Sequence, residues 1–180
     1  MATLAVLVLQ NPLDDEILSQ CIRPLPEKLL ESFAAMVSHL LRQMNRDNTE
    51  ALFSRWLLEY LKNRSLGRPK PWTLGEIQQI PFWLLHAGSL FPEAVFAFKQ
   101  LPRREGVNAN WVLVDLDKHS EVFEPPDATA ELILAITDTA SELVLDPDKL
   151  LNIVERLKSA GVSQHLRQAL DERMIKLRIR

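Results

Sequence analysis

The sequence predicts an all-α protein built from antiparallel helical hairpins. Apolar residues recur at helical spacing along most of the 180 residues, polar breaks separate these stretches, and only five glycines are present. A chain of this length can bury a core without disulfides or metal, so we expect one helical domain spanning residues 1–180. The hairpins recur about every 35–40 residues, in the range of helical solenoids. No repeated residue signature accompanies them, so a short solenoid-like stack and an irregular helical domain are equally compatible with the pattern.

The chain opens with the apolar run Leu4–Leu9. This run is far shorter than a membrane span, which takes about 20 apolar residues. It also lacks the charged start and small-residue cleavage site of a signal peptide. We therefore expect a buried helix or strand, no membrane association and a cytoplasmic location. Because almost no polar residues precede the run, we also expect a fragment or a subunit of a larger assembly.

The next two predicted helices form a hairpin. From Pro26 the apolar residues follow one helix face, and Asp47 with Glu50 offers a capping box for a second helix. The first stripe contains Leu29, Leu30, Phe33, Met36, Val37, Leu40, Leu41 and Met44. The second contains Leu52, Phe53, Trp56, Leu57, Tyr60 and Leu61. A short polar turn joins the two stripes, which predicts antiparallel packing.

An extended loop follows between Lys62 and Trp72, where glycine and prolines break the pattern. Thr73 and Glu76 form a capping box that starts the next helix. Pro81 predicts a kink or a division into two short helices, because its ring clashes with the preceding turn. The apolar residues after Pro81 predict burial, and Pro92 opens a short helix. These two groups are Phe82, Trp83, Leu84 and Leu85, and Ala94, Val95, Phe96 and Phe98.

The second half of the chain predicts further helices after a polar loop at residues 99–110. Residues 111–116 are compatible with a strand or a helix, and we favour a helix. After the break at residues 124–127, a helix carries Leu132, Ile133 and Ile136. Asp146 and Pro147 cap and start the next helix, which Gly161 ends, and Ser163 starts the last one.

No pattern of catalytic or metal-binding residues is present. The histidines His39, His86, His119 and His165 lie too far apart for one helix to present two of them to a metal ion. Cys21 is the only cysteine, which excludes an internal disulfide, and we expect a core thiol. No phosphate-binding loop, dinucleotide fingerprint, serine elbow or His-Glu-x-x-His motif occurs. We predict a non-enzyme without a cofactor. A site built around Cys21 or the Asp115–His119 stretch is the enzymatic alternative.

Charge is unevenly distributed along a chain whose net charge is −3. Two loops are basic, at residues 62–72 and 99–104, whereas residues 115–131 hold six acids and one lysine. We predict that the basic loops bind a protein partner, and that an oligomer is compatible with this pattern. The candidate partner-binding residues are Arg64, Arg68, Lys70, Trp72, Arg103 and Arg104. Basic loops beside an aromatic residue also suit phosphate contacts and base stacking, so nucleic-acid binding is the alternative.

The central segment resembles a known family. The residues that carry the resemblance are the run from Phe53 to Arg64, then Gly67-Arg68-Pro69, the capping box ending at Glu76, Phe82-Trp83, and Phe91-Pro92-Glu93-Ala94-Val95. Together they resemble the uncharacterised C-terminal helical domain of bacterial proteins that begin with a sirtuin-like, NAD-hydrolysing module. Trp56, Arg64, Gly67 and Pro69 match its pattern, and the resemblance is strongest over residues 50–100.

The resemblance implies a role in anti-phage defence, where NAD depletion aborts infection. It implies a non-catalytic arm that senses, scaffolds or assembles, joined to an NAD-hydrolysing protein elsewhere. It carries no catalytic residue to this chain, because the glycine-rich NAD site and catalytic histidine of the sirtuin-like module have no counterpart here. The expected function is therefore protein–protein interaction within a larger bacterial assembly.

Overall fold

The computed structural model describes residues 25–43, 57–61, 72–101, 107–118, 125–138 and 145–177. Most of these residues are helical and none of them forms a strand, which confirms the all-α prediction. Contacts within the chain divide it into two compact units, Met1–Gly106 and Val107–Arg180. The Leu4–Leu9 run lies outside the described residues, and the single-domain prediction stays a prediction.

In the first unit, three α-helices are described in full. Helix α1 spans Glu27–Gln43, α2 spans Leu74–Leu84 and α3 spans Phe91–Lys99, with a short 3-10 helix at Gly88–Leu90. Residues 57–61 are also helical. The core of this unit includes Leu30, Phe33, Val37, Leu57, Tyr60, Leu61, Ile77, Trp83, Phe91, Val95 and Phe98. The predicted stripes of the first hairpin are confirmed in part. Most of their described residues are buried, whereas Leu29 is 40% exposed and Met36 and Leu40 are half-buried.

Helices α1 and α2 pack side by side and run parallel. Near the start of both helices, the Gly75 amide donates to a Glu31 carboxylate oxygen at 3.3 Å. Further along both, the Trp83 indole N–H donates to the Ser38 hydroxyl at 2.7 Å. Early residues of α1 therefore meet early residues of α2, and late residues meet late ones.

Helix α2 begins at the predicted capping box. The Glu76 amide donates to Thr73 Oγ1, and the Thr73 amide donates to the Glu76 carboxylate in return. The division at Pro81 is wrong, because α2 continues as one helix to Leu84. Only three residues of the helix follow Pro81, so the missing amide affects its last turn and the helix is not split. The predicted burial of the residues after Pro81 is confirmed.

The second unit contains four helices in its described residues. Helix α4 spans Ala109–Lys118, α5 spans Pro126–Thr137, α6 spans Pro147–Ser159 and α7 spans Gln164–Lys176. Helix α4 confirms the helical interpretation of residues 111–116. The predicted cap Asp146 accepts from the Lys149 amide at 3.2 Å, and Ser163 occupies the cap position of α7. Gly161 follows α6 with a φ of 87°, the left-handed conformation that glycine adopts without strain.

Helices α4 and α6 pack against each other in parallel. At their starts, the Asp146 amide donates to the Asn110 side-chain oxygen at 2.7 Å. Towards their ends, Arg156 forms an ion pair with Asp117 at 3.3 Å. Helices α4 and α6 are therefore aligned along their lengths.

Helices α5 and α7 are aligned in the same way. At their starts, the Ser163 amide donates to the Asp127 carboxylate at 2.7 Å. At their ends, Arg173 donates to the Thr137 carbonyl at 3.0 Å and to the Asp138 carboxylate at 2.7 Å. Since α6 begins 38 residues after α4 and α7 begins 38 residues after α5, the four described helices form two successive pairs, the second aligned along the first. That spacing and packing are those of successive repeats in a helical solenoid.

No single helix among the described residues is long and apolar enough to cross a membrane. Two neighbouring helical segments would be long and apolar enough only if they were counted as one, namely Leu74–Leu84 and Gly88–Lys99. The chain bends by 115° between them.

Candidate functional site

Five of the six candidate partner-binding residues lie outside the described residues. Arg64, Arg68 and Lys70 fall within residues 62–71, and Arg103 and Arg104 within residues 102–106. Their predicted role in binding a partner stays a prediction. What the structure does describe is the chain at either end of each loop.

The ends of the first basic loop are fixed in the core of the first unit. Leu61 and Trp72 are both buried, and Trp72 is only 5% exposed. The ring of Trp72 lies edge-on to Tyr60, with 5.9 Å between ring centroids. Trp72 therefore packs in the core, where its face is not open for stacking on a base or a partner side chain. The three basic residues lie between two buried anchors.

A cluster of buried polar groups lies next to Trp72, at the end of the first basic loop. The Tyr60 hydroxyl donates to one Glu76 carboxylate oxygen at 2.6 Å, and the Thr73 amide donates to the other at 3.0 Å. Glu76 is fully buried, so these hydrogen bonds offset the loss of water around its carboxylate. The cluster joins the helical segment 57–61 to the start of α2. Sequence reasoning identified the Thr73–Glu76 box but not Tyr60, which is distant from it in sequence.

The second basic loop, predicted at residues 99–104, starts later in the structure, because Lys99 is the last residue of helix α3. Leu101, within the predicted loop, is buried at 4% exposure. The boundary between the two compact units, Gly106 and Val107, falls at the end of this loop.

The described histidines occupy packing and surface positions. His86 is half-buried, and its ring lies edge-on to Phe82 with 5.0 Å between ring centroids. Arg42 lies over the same Phe82 ring, 4.8 Å from its centre, a cation–π arrangement. His165 contacts the Ser163 hydroxyl at 3.1 Å on the exposed start of α7. Within the described ranges, no group of three potential metal ligands occurs.

The enzymatic alternative requires a site built around Cys21 or the Asp115–His119 stretch. Cys21 and His119 both lie outside the described residues. Asp115 and Asp117 are described on α4, and Asp117 forms an ion pair with Arg156 of α6.

Two ionisable groups of the second unit have shifted pKa values with structural causes. The Lys149 backbone amide, followed by the Lys149 side chain, holds the pKa of the Asp146 carboxyl below its usual value. Hydrogen bonds from Lys158 to Asp171 and then to Glu155 raise the pKa of the Lys158 ammonium. Lys158 and Asp171 link α6 to α7 at 2.9 Å. Both shifts favour the charged forms, at the start of α6 for Asp146 and in the contact between α6 and α7 for Lys158.

Large apolar side chains are exposed on both units. Trp111 on α4 and Phe96 on α3 are each 63% exposed, and Ile175 on α7 is 75% exposed. Tryptophan is mostly buried in folded proteins, so Trp111 is the most unusual of the three. The sequence pattern groups Phe96 with the apolar residues of its helix and indicates no role for Trp111. Their exposure depends on how each helix is rotated against its neighbours, which no local motif records.

No protein-family model, no curated protein and no solved structure matches this chain.

Proposed function

We propose that this chain is a non-catalytic helical interaction module, acting as a scaffold or sensor in a larger bacterial assembly. The observation that carries the proposal is the exposed indole of Trp111 on α4, within the aligned helices of the second unit. Stacked helical hairpins commonly bind partners through side chains displayed along the stack. Tryptophan is enriched among the residues that contribute most to interface affinity, and its exposure in a free chain leaves a large apolar area to be covered.

The partner and its setting form the second part of the proposal. The resemblance of residues 50–100 supports a sirtuin-like, NAD-hydrolysing protein as partner or parent, in anti-phage defence. Of the residues that carry it, Trp83, Ala94 and Val95 are buried, which supports a shared helical framework and leaves recognition to exposed side chains. A cytoplasmic location belongs to the same proposal, and the single cysteine suits a reducing compartment.

A pull-down with the tagged full chain tests the proposal, with mass spectrometry and light scattering on the eluate. Trp111→Ala should remove a stoichiometric protein partner from the eluate. Phe96→Ala is the matched control, because Phe96 is exposed to the same degree on the other unit. Charge reversal by Arg64→Glu with Arg68→Glu tests the basic loop separately, and loss of the complex there would assign the contact to that loop.

Two outcomes would overturn the interaction role. One is a clean monomer with nothing attached in the eluate. The other is binding to nucleic acid alone, with an affinity that falls steeply between low and moderate salt as counterions are released. Copurification of a protein that contains an NAD-hydrolysing module would support the proposed partner. A partner of another kind would support the interaction role of this chain but contradict the defence setting.

A further inference from the structure

One flank of α4 carries its polar contacts with α6. Asn110 accepts from the Asp146 amide at 2.7 Å, near the start of both helices. Further along, Asp117 forms an ion pair with Arg156 at 3.3 Å. Leu113 lies between the two contact residues in sequence and is fully buried. Spacings of three and then four residues place Asn110, Leu113 and Asp117 on the same side of α4.

The same pattern of side chains recurs on α6, which begins 38 residues after α4. Asp148, Leu151 and Glu155 stand at the equivalent positions of α6. Each keeps the chemistry of its counterpart on α4, namely a side-chain oxygen that accepts hydrogen bonds, a leucine and a carboxylate. These three residues are called the α6 flank below. The flank repeats the groups that α4 presents towards the next aligned helix.

The α6 flank is open to solvent. Asp148 and Glu155 are exposed, and Leu151 is half-buried. Ile153, which is fully buried, is two residues from both Leu151 and Glu155, and two residues are about 200° around a helix at 3.6 residues per turn. The flank therefore lies on the far side of α6 from the core. Glu155 accepts from Lys158 of the same helix at 2.9 Å, yet its side chain is 59% exposed, so its carboxylate can accept from a further donor.

We propose that the α6 flank binds a helix of the protein partner, aligned along α6 as α6 is aligned along α4. Charge complementarity identifies the chemistry of that helix. The flank presents two carboxylates, and the helix on the equivalent side of α4 supplies a backbone amide at its start and an arginine in its third turn. The partner helix therefore carries an arginine in its third turn, placed against Glu155, and an apolar side chain against Leu151. An arginine–carboxylate pair beside an apolar contact fixes the register of the two helices.

This inference rests on the interaction role proposed above, and it names a surface and a partner chemistry for that role. The surface is separate from the Trp111 side chain, so the two can fail independently. In the pull-down, loss of the partner with Trp111→Ala but not with Glu155→Lys would keep the interaction role and overturn the α6 flank. A clean monomer in the eluate would instead overturn the interaction role.

A defined peptide tests the flank in the full chain. The probe has the sequence of residues 145–160, because this segment contains α6, the helix that lies along the equivalent flank of α4. A hydrocarbon staple between positions 148 and 152 of the peptide, both exposed in α6, holds it in a helix. Fluorescence anisotropy at low salt measures its binding to the full chain.

Glu155→Lys in the chain should weaken binding of the peptide at least about fivefold, because an attraction to the arginine becomes a repulsion. Glu93→Lys is the matched control, since it makes the same change of charge at an exposed position of the other unit, and it should leave binding unchanged. Binding that does not respond to Glu155→Lys would overturn the proposal, and so would the absence of binding to the unmodified chain.

Exchange of the charges distinguishes a direct contact from an effect on folding. The peptide with Arg156→Glu should bind the unmodified chain at least about fivefold more weakly and should recover its affinity with the Glu155→Lys chain. Failure of this recovery would contradict a contact between the two positions. A chain that is dimeric in light scattering and becomes monomeric with Glu155→Lys would assign the flank to a second copy, and would overturn its assignment to a partner protein.

Discussion

At the scale of single residues, the buried Glu76 is the clearest case of a polar group that the fold must satisfy. It is the one acidic side chain that is fully buried among the described residues. Its two carboxylate oxygens accept from different parts of the chain, the Tyr60 hydroxyl and the Thr73 amide. A buried carboxylate that loses a donor retains the cost of its lost hydration. The Tyr60 hydroxyl should therefore contribute more than an ordinary surface hydrogen bond.

We expect Tyr60→Phe to lower the free energy of unfolding by about 1–3 kcal/mol, since it removes the donor at 2.6 Å and keeps the ring. Urea denaturation followed by circular dichroism measures this change. Ser32→Ala is the control, because the Ser32 hydroxyl donates to the Lys28 carbonyl on an exposed face, and its loss should cost within about 0.5 kcal/mol. Equal effects of the two substitutions would contradict the role given to the buried cluster.

The roles of some single residues could not be determined from the sequence. Trp72 and Trp111 are both tryptophans next to polar loops, yet Trp72 is buried against Tyr60 and Trp111 is exposed. Burial depends on which side of a helix faces its neighbours, and those neighbours are distant in sequence. Gly161 is different, because its positive φ ends α6 locally and its residue type predicts that conformation.

At the scale of elements, helix starts and ends were predictable because their signals are local. Thr73 with Glu76, and Asp146 with Pro147, satisfy amides within one turn of their own helix. The predicted division of the helix at Pro81 was wrong because the local signal does not include the position of the helix end. The effect of a proline on a helix depends on where the helix ends, and Leu84 is too close for a second segment to form.

For the pairing between helices, the sequence predicted only the distance along the chain at which the helical pattern recurs. The parallel alignment of α5 with α7 rests on Asp127 with Ser163 and on Asp138 with Arg173, pairs that are 36 and 35 residues apart. None of these four residues belongs to a sequence motif for helix stacking. Charged and capping residues are common on any helix surface, so their partners become evident only in the folded unit.

Arg173 should be the most sensitive of these stacking residues. Its guanidinium donates both to the Thr137 carbonyl and to the Asp138 carboxylate at the end of α5. We expect Arg173→Met to lower the free energy of unfolding by about 1–2 kcal/mol, because two hydrogen bonds from a charged group are lost while the apolar stem is retained. Thermal unfolding or urea titration measures the loss. Lys176→Met, on the exposed side of α7, should change stability by less than about 0.5 kcal/mol, and a comparable loss there would contradict the argument.

At the scale of the whole molecule, composition predicted the fold class and left function open. The spacing of apolar residues predicted helices where the structure describes them, and the net charge of −3 argues against a generally basic, nucleic-acid-coating protein. The division into two compact units was not predicted, because the basic loop at residues 99–104 resembles the loop at residues 62–72 in composition. Only contacts show that the boundary at Gly106 follows the second loop and none follows the first.

Each unit buries its own apolar residues, which leads to a prediction about residues 107–180. Helices α4 to α7 share a core that includes Leu113, Leu116, Leu132, Ile133, Ile136, Leu150, Ile153, Val154, Leu157, Leu166 and Leu170. We expect a chain of residues 107–180 alone to give a helical circular dichroism spectrum and a cooperative thermal transition. Its midpoint should lie below that of the full chain, because a core in fewer than about 80 residues supplies only a few kcal/mol.

The matched control for that fragment is the same 107–180 chain carrying Ile153→Ala, which removes a fully buried side chain from its core. Large-to-small changes of this kind cost about 2–5 kcal/mol, enough to abolish the transition of a marginal fragment. A cooperative transition that Ile153→Ala removes would mean that the stacked hairpins fold through their own core. A coil-like spectrum of the unmodified fragment would contradict this prediction and would favour the single domain of residues 1–180 that the sequence predicts.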